Sequence, residues 1–210
     1  MERLVIYDAS ELDCSGLYEL GNHAKNIVIG ERQAPLTPES ADPTATMIAV
    51  FVTSKVDRRS LLRMPHLKLI LCLSTGVNHI DLKECKNRGI IVCHSPGYGE
   101  RTVAEYTMSL MLALSRRLPE TTDRLRNGVA SHADLTGMDL FDKTLLVIGT
   151  GRIGRNVIKY ARAFGMTVLA TDLYPDPDAA AELGFDYVGL HDGLKRADIV
   201  SLHVPYTPEN

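Results

Sequence analysis

Thr144-Leu145-Leu146-Val147-Ile148-Gly149-Thr150-Gly151-Arg152-Ile153-Gly154 carries more information than any other stretch of this chain. A short apolar run of strand type leads into G-x-G-x-x-G. A helical pattern follows to Phe164, and a second apolar run, Met166 to Ala170, stops just before Asp172. Each glycine has a physical task in such a unit: Gly149 allows the tight turn, Gly151 lets a pyrophosphate approach the backbone, and Gly154 lets the helix pack close to the strand. The helix start adds unpaired N–H groups and the positive end of a dipole for the phosphates. Asp172, 18 residues beyond Gly154, can accept hydrogen bonds from a ribose diol, and its charge would repel a 2′-phosphate, so NAD is favoured over NADP. A bare turn and helix start would need the glycines but not Asp172 in register. Arg155 reads as a solvated helix residue.

Downstream the alternation continues. Asp178 to Leu183 suggest a helix, Phe185 to Val188 a strand, His191 to Arg196 a helix and Asp198 to Leu202 a final strand. This β-α-β followed by further αβ steps predicts one mononucleotide-binding half of a Rossmann sheet. Upstream, residues 102 to about 126 carry a helical pattern with Val103, Tyr106, Leu110, Ala113 and Leu114 on one stripe, ended by Gly128. Thr102-Val103-Ala104-Glu105 fits a capping box, which would start that helix at Thr102. Further back, strand-type runs recur at Leu4 to Tyr7, Asn26 to Ile29, Met47 to Val52, Leu67 to Leu73 and Ile90 to Cys93, separated by amphipathic stretches. They predict a first, smaller parallel α/β unit. The Pro/Gly cluster Ser95-Pro96-Gly97-Tyr98-Gly99 marks the boundary, giving domains 1–98 and 99–210.

Two loops invite ligands. Ser74-Thr75-Gly76-Val77-Asn78-His79-Ile80-Asp81 follows an apolar strand and precedes a box-like helix start, Asp81-Leu82-Lys83-Glu84. A loop at the carboxyl end of a parallel strand is where α/β folds bind ligands, and its amides can receive a carboxylate. A plain strand-to-helix turn explains the same residues equally well. His203-Val204-Pro205-Tyr206-Thr207-Pro208 stands at the end of the last strand, with Thr207 and Pro208 announcing a helix.

Composition bounds the function. The 210 residues are 45% hydrophobic and 23% charged, which excludes disordered and low-complexity classes. A net charge of −3 offers no basic field for a nucleic acid or an anionic membrane. Cys14, Cys72, Cys85 and Cys93 form no C-x-x-C pair, so they read as reduced thiols of a cytoplasmic protein rather than a zinc site or disulfide framework. The start carries no signal-peptide pattern, and no apolar run is long enough to span a membrane.

The stretches STGVNHIDL, SPGYGERTVAEYTMSLMLALSRR, TGMDLFDKTLLVIGTGRIGRNV, FGMTVLATDLYP and ADIVSLHVPYTPEN, in this order from about residue 65 onward, resemble the NAD-dependent D-isomer-specific 2-hydroxyacid dehydrogenases, the family of D-lactate, hydroxypyruvate/glyoxylate and 3-phosphoglycerate dehydrogenases. The resemblance implies a flavodoxin-like substrate domain and a Rossmann NAD-binding domain. It implies that the amides of Gly76 and Val77 hold the carboxylate of a small 2-keto or 2-hydroxy acid, with Tyr98 in the substrate cleft. It places Thr102 on the nicotinamide side and takes NAD contacts from Arg152, Ile153, Asp172, His203, Val204, Pro205 and Asn210, beside Gly149, Gly151 and Gly154. It further implies a homodimer through the NAD-binding domain, using the long helix after Thr102.

In the resembled family, hydride passes between a secondary alcohol carbon and nicotinamide, with a His as acid/base, a carboxylate that orients it and an Arg on the substrate. Those residues lie beyond the HxPxTPEN segment, and this sequence ends at Asn210, so the expectation is a chain without the catalytic C-terminal part and with doubtful turnover. None of the seven histidines reads as a substitute acid/base: His23, His66, His132 and His191 sit in polar or helical surroundings, and His94 ends a strand. His79 lies in the carboxylate loop and His203 on the cofactor side, neither at a position the family uses for catalysis. The alternative reading is a non-catalytic NAD-binding or regulatory module.

Overall fold

The computed structural model describes residues 2–9, 14–23, 26–131 and 133–205. The predicted contact of Asn210, the helix opening at Thr207 and Pro208, and His132 lie outside them. The chain divides into two compact units, Met1–Tyr98 and Gly99–Asn210.

The first unit contains β1 (Glu2–Ile6), α1 (Ser15–His23), β2 (Ile27–Glu31), β3 (Met47–Val50), α2 (Arg58–Arg63), β4 (Leu69–Cys72), α3 (Leu82–Asn87) and β5 (Ile91–His94). All strand pairs are parallel, in the order β2-β1-β3-β4-β5. Side chains alternate across a strand, so an apolar run without polar gaps must be covered on both faces. Leu4 and Ile6 pack with Cys14, Ala49 and Leu17 on one side. Val5 and Tyr7 pack with Ile48, Val50, Leu61 and Met64 on the other. Asp81 caps α3 by accepting from the Glu84 amide, as its box-like start predicts.

The second unit opens with α4 (Glu100–Ser115) and α5 (Leu118–Arg126), then β6 (Thr144–Ile148), α6 (Arg152–Ala163), β7 (Thr167–Thr171), α7 (Pro177–Leu183), β8 (Asp186–Tyr187), α8 (Leu190–Arg196) and β9 (Ile199–Leu202). Its sheet is parallel, ordered β8-β7-β6-β9, the half-Rossmann arrangement read from the sequence. Leu145 and Val147 of β6 meet Val157, Ile158 and Ala161 of α6 and Ala104, Met108 and Met111 of α4 in one core.

Two expectations fail here. The helix does not start at Thr102: Gly99 is the N-cap and α4 begins at Glu100, so Thr102 lies inside the first turn and the capping box is not formed. The packing of Ala104 and Met108 on α6 extends the helix one turn past the local signal. Nor is it one helix to residue 126. Arg117, at φ 52°, breaks it in the left-handed region, and Pro119 restarts it as α5. Of the predicted stripe, Val103, Tyr106, Leu110 and Leu114 are exposed, while Ala104, Met108, Met111 and Ser115 form the buried face.

Candidate dinucleotide site and anion loop

The turn between β6 and α6 is built by close approach. Gly149 has φ +95°, and a Cβ there would stand 2.5 Å from the carbonyl oxygen of His203. A Cβ on Gly154 would stand 2.0 Å from the carbonyl oxygen of Gly149. Both positions are closed to any larger residue by the protein itself. Gly151 differs: its φ is −66° and a Cβ would meet nothing within 4 Å. The space beside it is open and lies over the start of α6, where Gly151 provides no side-chain cap and the first-turn amides are left without partners among the described residues. Such a cradle of open amides at a helix N-terminus fits a pyrophosphate, with the space Gly151 keeps clear as its seat.

Asp172 follows β7 and folds back on this turn. Its Oδ2 accepts from the amide of Thr150 at 2.6 Å and from the Thr150 hydroxyl at 2.9 Å, and its Oδ1 accepts from the Tyr174 amide at 2.9 Å. Burial pushes the carboxyl pKa up, but these donors together with the Leu173 amide outweigh it and hold the group below the usual carboxylate range. The carboxylate is therefore charged at neutral pH.

The Thr150 hydroxyl also stands 2.7 Å from the Tyr187 hydroxyl, which accepts from the Asp176 amide at 3.2 Å. Arg155 is not a free surface residue. Its Nε donates to the Thr150 carbonyl at 2.8 Å and its Nη2 to Asp176 at 2.8 Å. Thr150, Tyr187, Asp176 and Arg155 were not legible as site residues, since no spacing rule links residues 37 positions apart.

The remaining predicted residues of this unit are placed as follows. Arg152 pairs with Glu100 at 2.9 Å, two helix positions before Thr102. Ile153 turns its side chain into the core, so only its amide is free for a ligand. His203 donates its amide to Ile148 and holds its ring 2.9 Å from Ser201 Oγ; burial keeps it below the ordinary imidazole range. Val204 and Pro205 follow it at the surface, with Val204 Cγ1 close to Gly149.

In the first unit, Gly76 and Val77 lie in the loop after β4. The loop's carbonyls are drawn inward. Gly76 accepts from the Ser74 hydroxyl at 2.8 Å, Thr75 from His94 Nδ1 at 3.0 Å, and Val77 from the Ile80 amide at 3.0 Å. The amides of Gly76 and Val77 donate to no partner among the described residues. Beneath the loop, buried Cys72 Sγ stands 3.6 Å from His79 Nε2. Tyr98, at the end of the unit, is 61% exposed.

Residues 108–210 match the model of the D-isomer specific 2-hydroxyacid dehydrogenase, NAD binding domain. These residues carry that family's NAD-binding domain. D-3-phosphoglycerate dehydrogenase of Methanocaldococcus jannaschii is 39% identical over 79% of this chain, covering 32% of the relative, and Escherichia coli D-lactate dehydrogenase is 38% identical over 78% of this chain, covering 50% of the relative. Among solved structures, D-lactate dehydrogenase from Aquifex aeolicus, in complex with NAD and lactic acid, matches 99% of this chain and 62% of its own at TM-score 0.84 and 36% identity. The chain thus spans a third to a half of these curated family members. No described helix is long and apolar enough to cross a membrane.

Proposed function

We propose that this chain supplies the N-terminal part of the substrate domain and the first half of the NAD-binding domain of an NAD-dependent 2-hydroxyacid dehydrogenase. The observation that carries the reading is Gly151: the chain itself does not require a glycine there, and the space it leaves clear lies over open helix amides and close to a charged Asp172. When bound, NAD supplies or accepts the hydride that interconverts a 2-keto and a 2-hydroxy acid. The residues that would hold it are Gly151, Arg152, Ile153 and Gly154 by their amides, Asp172 at the ribose, and His203 to Pro205 along the β9 end, with Thr102 toward the nicotinamide and Asn210 as the last contact. The open amides of Gly76 and Val77 suit the carboxylate of a small 2-keto or 2-hydroxy acid, with Tyr98 in the substrate cleft.

The exposed face of α4, with Val103, Tyr106, Leu110 and Leu114, supports a homodimer through this unit. Four cysteines, none in a disulfide, suit a reducing cytoplasm.

The test is a paired measurement on the purified chain: NADH binding by fluorescence titration, and reduction of pyruvate, hydroxypyruvate and glyoxylate. Saturable NADH binding, weakened at least tenfold in Asp172→Ala, supports the reading. Absence of binding at millimolar NADH sinks it. Turnover above background would show an acid/base within these 210 residues and overturn the expectation that none is present.

A further inference from the structure

We propose that Thr150 and Tyr187 are positioning residues for Asp172, and that the hydroxyl relay they form sets the preference for NADH over NADPH. The inference deepens the NAD reading above and rests on it.

The protons of the relay fix its direction. An ionised carboxylate only accepts, so the Thr150 hydroxyl, 2.9 Å from Asp172 Oδ2, must spend its single proton there. It can then only accept from the Tyr187 hydroxyl at 2.7 Å. Tyr187 has thereby spent its own proton, and its oxygen accepts the Asp176 amide at 3.2 Å. The chain Asp176 N–H, Tyr187 O–H, Thr150 O–H, Asp172 Oδ2 has one direction throughout, and each link polarises the next. Arg155 braces both ends by bonding the Thr150 carbonyl and Asp176. Thr150, at the centre of the relay, is buried.

The relay decides how Asp172 is held. Oδ2 holds two donors and Oδ1 holds the Tyr174 amide. The Leu173 amide adds to these donors, so the carboxylate is held from both of its oxygens. A ribose hydroxyl can donate to a carboxylate held in this way, whereas a 2′-phosphate brings no proton to it and meets a negative charge that the relay prevents from swinging aside. NADPH therefore gains nothing from the relay and NADH does.

The experiment is fluorescence titration of the purified chain with NADH and with NADPH, in the wild type, Thr150→Val, Thr150→Ser and Tyr187→Phe, each checked by thermal melting. Thr150→Val is expected to weaken NADH five- to twentyfold and NADPH less than twofold, so that the preference falls by about the same factor. Thr150→Ser is expected to restore it, and Tyr187→Phe to lower it two- to fivefold. Should Thr150→Val fail to fold, Tyr187→Phe, which removes one hydroxyl and little volume, carries the decision alone. Equal weakening of both dinucleotides, or no change in either, in variants of a wild type that binds NADH overturns the relay and leaves the NAD reading standing. A wild type that binds neither overturns both.

Discussion

The Cβ that Gly154 lacks would stand 2.0 Å from the carbonyl oxygen of Gly149, and 3.4 Å from Val147 Cγ1. No rotamer relieves a backbone collision of this kind, so α6 would have to move off β6. Gly154→Ala is expected to destabilise the second unit by about 2–4 kcal/mol, the range of a severe overpacking. Gly151→Ala meets no atom and keeps an accessible φ, so it should cost at most about 1 kcal/mol, the difference between Gly and Ala at an N-cap. It should nevertheless weaken NADH binding at least tenfold, because the methyl enters the phosphate seat. Chemical denaturation and NADH titration of the two variants separate these effects; equal stability losses would refute the distinction.

Asp42 ties the loop before β3 to the first sheet. Its carboxylate takes both Nε and Nη2 of Arg3, at 3.2 and 3.0 Å, and the amide and hydroxyl of Thr44, while its own amide donates to buried Tyr7. Burial pushes its pKa up, but the Thr44 and Arg3 donors prevail and the net shift is downward. A depressed carboxyl stabilises the fold above its unfolded value near 3.9 and loses that contribution as pH falls through the folded value. Asp42→Asn should therefore cost about 2 kcal/mol at pH 7. The gap between variant and wild type should close below about pH 4. Urea melts at pH 7 and pH 3 read both numbers, and a pH-independent gap would show that packing, not charge, is lost.

How much of this was legible in the sequence differs by kind of feature. The β6–Gly–α6 turn and Asp172 could be read because their constraints are local: a tight turn, a helix start and a fixed βαβ length. The break at Arg117 was missed although Pro119 signals a helix start, because the apolar period runs on through it. The capping box at Thr102 is a sound local pattern that lost to tertiary packing of Ala104 and Met108. The relay from Tyr187 through Thr150 has no sequence signature, since three-dimensional closure alone brings the two hydroxyls to 2.7 Å. Periodicity found an apolar stripe on α4 but could not say which of two such faces the core takes.

His79 and His203, one in each unit, are both held below the ordinary imidazole range by burial, in His79 against an opposing pull from Asp8. In the unfolded chain an imidazole takes up its proton near pH 6.5. A folded-state value below this means that the unfolded state binds the proton first, so stability is lost as pH falls below about 6.5 toward the folded values. His79→Asn should flatten this limb for the first unit and His203→Asn for the second. Melting temperatures from pH 7.5 to 5.0 test it; an unchanged slope in either variant would assign the limb to other groups.

The exposed stripe of α4 makes the homodimer testable in one step. Tyr106 is 65% and Leu114 75% exposed, with Leu110 one turn between them. Leu110 and Leu114 also line an open groove with Ile199 and Val200 of β9, so the apolar surface offered to a second copy runs from α4 onto β9. Burying a leucine contributes about 1.5–3 kcal/mol, and a twofold interface counts each position twice. Leu110→Glu with Leu114→Glu should weaken self-association by at least about 100-fold, the factor for roughly 2.7 kcal/mol. NADH affinity should not change, because neither residue touches the glycine turn. Sedimentation equilibrium at micromolar concentration separates the outcomes: a dimer in the wild type and a monomer in the double variant supports the interface, and a wild-type monomer, or a dimer that ignores both charges, removes α4 from it.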